Sequence, residues 1–406
     1  MTNLPPSSMV RAPSAEPSDF SLVLGGPLFR LCRRLHLSGP ALEWLGRRLL
    51  VITLFVWLPL LVLSALAGHA FGGGVEISFL QDLEANARFL VALPALLIAE
   101  GTVHKRISPL VPRFIDRRIV ATEELPAFNS AVNSALRIRD STIVESVLLV
   151  LVYTVGLLIW RSQIALGVAT WYAQPDAKHL NLTLAGYWYV FVSVPLFQFV
   201  LLRWYMRLIV WFRLLWQISR LNLHLTAAHP DHAGGIGYLG TGSYGFGPIL
   251  FAQGTLLAGL IASRVLHDGR SLLSFKMEAA GYVAFFVLVV IGPLVMFTPK
   301  LDDALRKGSE EYGLLANRYV FGFEKKWIGE DVPDPNNLLG TPDLQSLADL
   351  GNSYSMVRQM RIVPFGLQVV TRLAVITAAP LLALAFMVLS PQQAQELLGR
   401  LVKVLF

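Results

Sequence analysis

Seven stretches of nearly continuous apolar sequence constrain this chain more than any other feature. Each approaches the roughly 20 residues that an α-helix needs to cross about 30 Å of hydrocarbon. The apolar residues follow one another instead of alternating with polar ones, which favours helices over a β-barrel. We therefore predict an all-α polytopic transmembrane helical bundle of about seven spans. The spans are predicted at about 49–70, 88–107, 143–160, 186–206, 247–266, 279–299 and 366–390.

The low content of charged residues agrees with a membrane protein. Charged residues make up 15% of the chain, whereas a soluble domain carries about 25%. The net charge of +7 could indicate nucleic acid, but the basic residues flank the apolar runs, as they do at cytoplasmic membrane borders. We therefore expect the lipid bilayer as a partner and no nucleic acid. Cys32 is the only cysteine, which excludes an intrachain disulfide and a cysteine-based zinc site.

The distribution of Lys and Arg predicts how the chain is oriented in the membrane. By the positive-inside rule, the segments rich in these residues are cytoplasmic, so the N-terminus lies inside and an odd number of spans leaves the C-terminus outside. Pro380 leaves open a re-entrant pair at 366–390, although the length of this run fits one tilted helix. The basic segments are the N-terminal region, 105–142, 207–246 and 300–361, and the poorer ones are 71–87, 161–185 and 267–278.

Five regions are predicted along the chain. Their order is a disordered tail, a basic segment on the inner membrane surface, a six-span region, a cytoplasmic cap of two helices, and a last span with an amphipathic C-terminal helix. About 60 residues are too few for an independent core, so we expect the cap to pack on the inner face of the bundle. The corresponding ranges are 1–20, 21–48, 49–299, 300–361 and 362–406.

A glycine-rich loop between the fourth and fifth spans is the most distinctive motif. It reads HPDHAGGIGYLG from His229. We predict that Gly234, Gly235 and Gly237 lie where the backbone takes positive φ or packs closely, so that the loop acts as a hinge. Gly235, Gly237 and Gly240 also satisfy G-x-G-x-x-G, but the strand that the dinucleotide motif requires before it is replaced by a membrane helix.

Two other chemistries are open to the same loop. Asp231 with His224, His229 and His232 could ligate a divalent metal. Pro230 breaks the helix that would align these side chains, so we favour a turn capped by Asp231 and expect no metal and no other cofactor. The backbone N–H groups of the loop could instead bind an anion.

Polar side chains within or beside the spans are candidates for function, because a charge in hydrocarbon costs at least ~2.5 kcal/mol. Arg372 is expected to pair with Glu100 or Glu145 and to form a polar vestibule with them. For each side chain the alternative is that it reaches the inner lipid headgroups. All the candidates map to the cytoplasmic third of the bundle, and no comparable charge is expected in the outer half. They are Glu100, Glu145, Arg203, Gln253 and Arg372.

Two stretches are similar to a family of bacterial multi-pass inner-membrane proteins. This resemblance does not imply a specific activity for the chain. The stretches are LNLHLTAAHPDHAGGIGYLG at 221–240 and LQSLADLGNSYSMVRQMRIVPFG at 344–366, in the order that the family shows. The resemblance covers roughly 220–375. It implies that the protein lies in a bacterial inner membrane and that these two stretches have a functional role.

These features lead to one functional hypothesis and two alternatives. The leading hypothesis is transport of a small polar solute through a cytoplasm-facing polar vestibule, with the glycine loop as a hinge. The first alternative is a scaffold or signalling role, in which the cap docks another protein or a second copy of the chain. The second is a membrane-embedded enzyme. Only the histidines in and beside the glycine loop favour it, and we therefore expect no enzyme activity.

Overall fold

The computed structural model describes residues 20–34, 44–156, 158, 169–175, 180–328 and 341–388. Across these ranges the protein is an all-α bundle with one small β-hairpin, which confirms the predicted fold class. A shorter apolar helix, Thr142–Gly156, occupies the third predicted span, and the rest of that span lies mostly outside the described residues. Six described helices are long and apolar enough to cross a membrane: Leu45–Leu66, Leu83–Asp116, Leu184–Ser219, Tyr238–His267, Leu272–Trp327 and Leu367–Phe386.

Fifteen α-helices and two short strands make up most of the described residues. The strands β1 (Ala173–Pro175) and β2 (Leu180–Leu182) pair antiparallel between the helices Thr142–Leu151 and Leu184–Trp188. The first eight helices are α1 (Pro27–Arg34), α2 (Leu45–Leu66), α3 (Leu83–Ala87), α4 (Leu93–Ile107), α5 (Arg113–Asp116), α6 (Leu125–Arg139), α7 (Thr142–Leu151) and α8 (Leu184–Trp188). The remaining helices are α9 (Val194–Ser219), α10 (Tyr238–Gly242), α11 (Gly247–His267), α12 (Lys276–Ile291), α13 (Thr298–Trp327), α14 (Pro342–Arg358) and α15 (Leu367–Val388).

Small residues allow α11 to pack closely against its neighbours. A Cβ added to Gly254 would overlap the backbone carbonyl of Thr377 on α15, and one added to Gly259 would lie 3.0 Å from the Cβ of Ala87 on α3. Such close approach is typical of helix packing in membranes. Pro380 lies within α15, which is one continuous helix. Over the described residues the seventh run is therefore one helix of spanning length, as the one-span interpretation predicted.

The predicted cap is an antiparallel helical hairpin made of α13 and α14. The sixth span runs through a 3₁₀ segment, Gly292–Phe297, directly into α13. Thirty residues give α13 a length of about 45 Å, and its buried positions are Leu301 and Gly308 near its start. The far end is closed by Asp343, which accepts a hydrogen bond from Lys326 at 2.6 Å. The expectation that these helices pack on the bundle face is wrong beyond their base.

The N-terminal residues lie inside the bundle, which corrects two predictions. Phe20, Ser21, Leu22 and Val23 are at most 2% exposed, although residue 20 was predicted in the tail and 21–48 on the membrane surface. The ring of Phe20 lies 6.4 Å from that of Trp211 on α9. Residues 20–26 are called the N-terminal plug below. Predictions for the rest of the tail and for the C-terminal amphipathic helix lie outside the described residues.

Candidate functional site

A buried ion network centres on Glu100 of α4. Its Oε1 accepts hydrogen bonds from Arg207 Nη1 at 3.0 Å and from Arg203 Nη1 at 3.5 Å. Its Oε2 pairs with the guanidinium of Arg48. These four residues are at most 6% exposed. One carboxylate therefore connects α2, α4 and α9 in the interior of the bundle.

Glu145 extends this network to α7. Its Oε1 lies 3.2 Å from Arg203 Nε, at an angle that makes the contact an ion pair without a hydrogen bond. Ser141 caps the N-terminus of α7 and so places Glu145 in its first turn, where the helix dipole stabilises a carboxylate. Three arginines and two glutamates leave one formal positive charge in the network.

Backbone carbonyl groups of the N-terminal plug complete the coordination of the arginines. Gly25 O accepts a hydrogen bond from Arg203 Nη2, and Val23 O accepts one from Arg207 Nη2, both at 3.4 Å. The turn that presents these carbonyls needs glycine, since φ is +140° at Gly25 and +86° at Gly26. The plug thus supplies dipoles that stabilise the excess positive charge.

Three side-chain contacts hold the plug in place. Ser21 Oγ lies 3.0 Å from His104 Nδ1, and the Ser21 carbonyl accepts a hydrogen bond from Arg139. Just after the plug, the Leu28 N–H donates to Glu145 Oε2 at 2.9 Å. The plug is therefore bound to α4, α6 and α7 as well as to the arginines of α9.

Arg372 does not belong to the network. Its side chain is exposed, and its guanidinium lies 5.7 Å from the ring centroid of Tyr244. The predicted pairing with Glu100 or Glu145 is wrong, because both carboxylates are taken by arginines of α2 and α9. The outward rotation of α15 at this position explains the difference, and the length of an apolar run does not determine helix rotation.

Gln253 makes a separate polar contact. It is 1% exposed, and its Oε1 accepts a hydrogen bond from Tyr282 of α12 at 3.1 Å. Within the described part of the chain, no hydrogen bond or ion pair joins it to Glu100. The structure thus brings together three of the predicted residues, Glu100, Glu145 and Arg203, and adds Arg48 and Arg207. Their position at the ends of apolar runs is the sequence feature that could have identified these two arginines as members of the network.

Asp231 organises the glycine loop. Its Oδ1 accepts hydrogen bonds from the N–H groups of Ala233 at 2.9 Å and Gly235 at 3.1 Å, and its Oδ2 accepts one from Gly237 at 2.9 Å. Burial alone would raise the pKa of Asp231, but these hydrogen bonds and His229 hold the pKa below its ordinary value. The anion that the loop's N–H groups bind is the carboxylate of Asp231 itself.

The predicted backbone positions of the three glycines are confirmed by this geometry, and the hinge role of the loop stays a prediction. The angle φ is +65° at Gly234 and +94° at Gly235, and a Cβ added to Gly237 would lie 3.1 Å from Asp231 Oδ2. His229 Nδ1 lies 2.9 Å from Asp231 Oδ1. Within the described ranges, no group of three or more His, Cys, Asp or Glu residues is arranged to hold a metal ion.

The two stretches singled out in the sequence meet in space. The backbone N–H of Arg361 donates to the carbonyl of His232 at 2.7 Å, and its Nη2 donates to the carbonyl of Asp231 at 2.9 Å. Gly240 packs against the carbonyl of Pro364 so closely that a Cβ would overlap it. The glycine loop and the segment after α14 therefore form one unit at the base of the hairpin.

A second polar cluster lies at the opposite end of the bundle. Arg88 pairs with Glu84 and donates a hydrogen bond to the hydroxyl of Tyr189 at 2.8 Å. Arg88 and Tyr189 each begin a π-helical turn, a local structure that is frequent at functional sites. In the predicted topology this end of the bundle is the outer one, so the expectation of no comparable charge there is wrong. Glu84 and Arg88 sit four residues apart, a spacing that could have revealed this pair.

Comparison with known proteins adds no relative. The chain matches no protein-family model, no curated protein and no solved structure. The resemblance carried by 221–240 and 344–366 therefore stays a prediction, and the function has to be argued from the geometry described above.

Replacing Glu100 with Gln should destabilise the protein strongly, because it leaves buried arginines without their shared carboxylate. Removing one partner of a buried ion pair costs about 3–5 kcal/mol. The matched control is Glu278→Gln at an exposed position of α12, where we expect a change within about 0.5 kcal/mol. Unfolding of the purified protein in mixed micelles, followed by tryptophan fluorescence, measures both. Equal effects would contradict the network.

Asp231→Asn should lower stability at neutral pH, because an amide cannot accept the backbone hydrogen bonds through two charged oxygens. A carboxyl group with a depressed pKa contributes stability above its unfolded pKa and loses it as the pH falls through the folded value. The gap in unfolding temperature between wild type and variant should therefore be widest near pH 7 and shrink below about pH 4. A gap of constant size from pH 7 to pH 3 would show that the Asp231 charge is unimportant.

Proposed function

We propose that this protein conducts a small anionic solute across the bacterial inner membrane, and that the N-terminal plug closes the route. The observation that carries the proposal is the excess of arginine over carboxylate in the buried network. A charge kept at membrane depth is costly and is a functional-site candidate for that reason. The sequence predicted a small polar solute, and the composition of the network narrows this to an anion.

The contacts of the plug indicate where an anion would bind. Val23 O and Gly25 O accept one hydrogen bond each from Arg207 and Arg203. Both distances are 3.4 Å, which is long for a hydrogen bond to a guanidinium. Carboxylates and phosphates match the arginine fork with two short, charge-assisted bonds. An anion would therefore replace these two carbonyl groups favourably.

The plug is suited to reversible displacement. In 20–26 no residue belongs to a helix or strand, and the two glycines at its end form a turn before α1. Burial of Phe20, Leu22 and Val23 stabilises the closed position by roughly 1.5–3 kcal/mol per side chain. The closed state is therefore the resting state, and opening requires that the solute or another signal offset this energy.

The scaffold role remains a second candidate, supported by the α13–α14 hairpin. The hairpin projects from the bundle, and Leu314 and Phe321 of α13 are 53% and 71% exposed. Its base is tied to the glycine loop through Arg361. A partner bound along α13 would thus contact the chain far from the ion network.

A reversible lock on the plug tests the transport proposal. In a Cys32→Ser background, Ser21→Cys and His104→Cys introduce two thiols at neighbouring positions. In the wild type, Ser21 Oγ lies 3.0 Å from His104 Nδ1. Reconstituted into liposomes, this variant should pass labelled phosphate, sulfate or chloride more slowly after oxidation and recover with a reductant. The variant with Ser21→Cys alone, which cannot cross-link, should not respond.

A second variant opens the plug instead of locking it. Leu22→Ala removes a buried contact and should raise anion flux about tenfold or more, because large-to-small changes of this kind cost about 2–5 kcal/mol of closed-state stability. Flux that is equal in the oxidised and reduced lock would refute the gating role of the plug. Anion flux no greater than in empty liposomes for wild type and Leu22→Ala would refute transport and favour the scaffold.

A further inference from the structure

A groove of about 500 Å³ opens between the end of α9 and the junction of α12 with α13. Trp216 and Arg220 form the wall on α9. Val295, Met296 and Lys300 form the opposite wall. The groove lies on the outside of the bundle, and no residue of the ion network or of the glycine loop lines it.

One end of the groove continues the lipid-facing surface. Trp216, Val295 and Met296 are 46%, 47% and 37% exposed, and Ile209, two turns earlier on α9, is 65% exposed. Exposed apolar side chains on membrane-crossing helices face hydrocarbon, and tryptophan is enriched where the hydrocarbon meets the headgroups. The groove therefore begins at the membrane surface, at the level where acyl chains join the polar part of a lipid.

The other end of the groove carries two cations. Arg220 is exposed and its guanidinium lies 5.4 Å from the ring centroid of Trp216, while Lys300 is half-buried on the facing wall. Among the ion pairs of the described residues, neither cation takes part. Asp303, one turn after Lys300, pairs with Arg306. The groove thus offers two positive charges that no protein carboxylate neutralises.

We propose that this groove binds an anionic phospholipid, with its phosphate between Arg220 and Lys300. Its acyl chain would lie on Val295 and Met296, and Trp216 would contact the glycerol region. Basic pockets between membrane helices bind anionic headgroups in this manner. A free phosphate would use the cations and leave the apolar wall unoccupied, whereas a lipid matches both ends of the groove.

A lipid bound in the groove would stabilise the junction of α12 with α13 at the base of the hairpin. One wall lies at the end of α9, and the other is formed by the 3₁₀ segment Gly292–Phe297 and the first turn of α13, so a bound lipid bridges the bundle and the base of the hairpin. A ligand that binds only the folded protein raises its unfolding temperature in proportion to the logarithm of its concentration. The inference is independent of the transport proposal, since it involves none of the residues of the ion network.

Thermal unfolding of the delipidated full chain in detergent tests the assignment. Phosphatidylglycerol should raise the unfolding temperature in proportion to the logarithm of its concentration, and phosphatidylcholine and inorganic phosphate should not. The double variant Arg220→Gln, Lys300→Gln should weaken the apparent affinity for phosphatidylglycerol about tenfold or more. The matched control is Arg213→Gln, Lys307→Gln, which removes two exposed cations from the same helices outside the groove.

Native mass spectrometry provides a readout that does not depend on the stability of the variants. Wild type and control should retain phosphatidylglycerol adducts, and Met296→Asp, which places a carboxylate on the apolar wall, should lose them. Equal shifts with phosphatidylglycerol and phosphatidylcholine would overturn the proposal. So would unchanged binding in the Arg220, Lys300 double variant, or a full shift produced by inorganic phosphate alone.

Discussion

The carboxylate of Glu100 forms ion pairs with arginines of two different helices in the interior of the bundle. Much of the surrounding architecture depends on these ion pairs. Taking charges out of water costs several kcal/mol per ion, which pairing offsets only when the remaining hydrogen-bond donors are also satisfied. Here Arg203 and Arg207 find their further acceptors on the N-terminal plug. The position of the plug is thus a consequence of the network's charge, as well as of the apolar contacts of Phe20.

The glycine loop is a second constraint, and it works through the same kind of chemistry. The carboxylate of Asp231 satisfies three backbone N–H groups of its own loop. The backbone carbonyl groups of Asp231 and His232 then accept hydrogen bonds from Arg361, which lies in the segment after α14. The loop therefore joins the base of the hairpin to the bundle. The hairpin, the loop and the lipid groove all meet at the start of α13, away from the plug.

Much of the fold could be predicted from the sequence, because the length of an apolar run is a local property that determines whether a helix can span a membrane. The turn at Asp231 was also predictable, since aspartate before glycines accepts local backbone hydrogen bonds. The partners within the bundle were not predictable. Arg203 and Arg372 both lie near the end of an apolar run, yet Arg203 is buried and Arg372 is exposed, because each helix is rotated by its packing.

The plug was missed for a related reason. Residues 20–26 are too short and too rich in glycine to predict a buried element, and only the contacts with Trp211 and the arginines place them inside. The cap was wrongly placed because mixed polar and apolar helices suggested packing on the bundle. In the structure, the buried positions of α13 and α14 are Leu301, Gly308 and Val357, which all lie near the base, so the hairpin contacts the bundle only there.

Hydrogen–deuterium exchange over residues 20–30 of the membrane-embedded protein tests the central claim most directly. The N–H groups of Val23, Leu24, Leu28 and Arg30 are hydrogen-bonded within the closed arrangement. The account predicts slow exchange of this segment in the wild type and fast exchange in Arg203→Leu, which removes the link to Glu100, Glu145 and Gly25. Wild-type exchange as fast as that of an unstructured chain would contradict it.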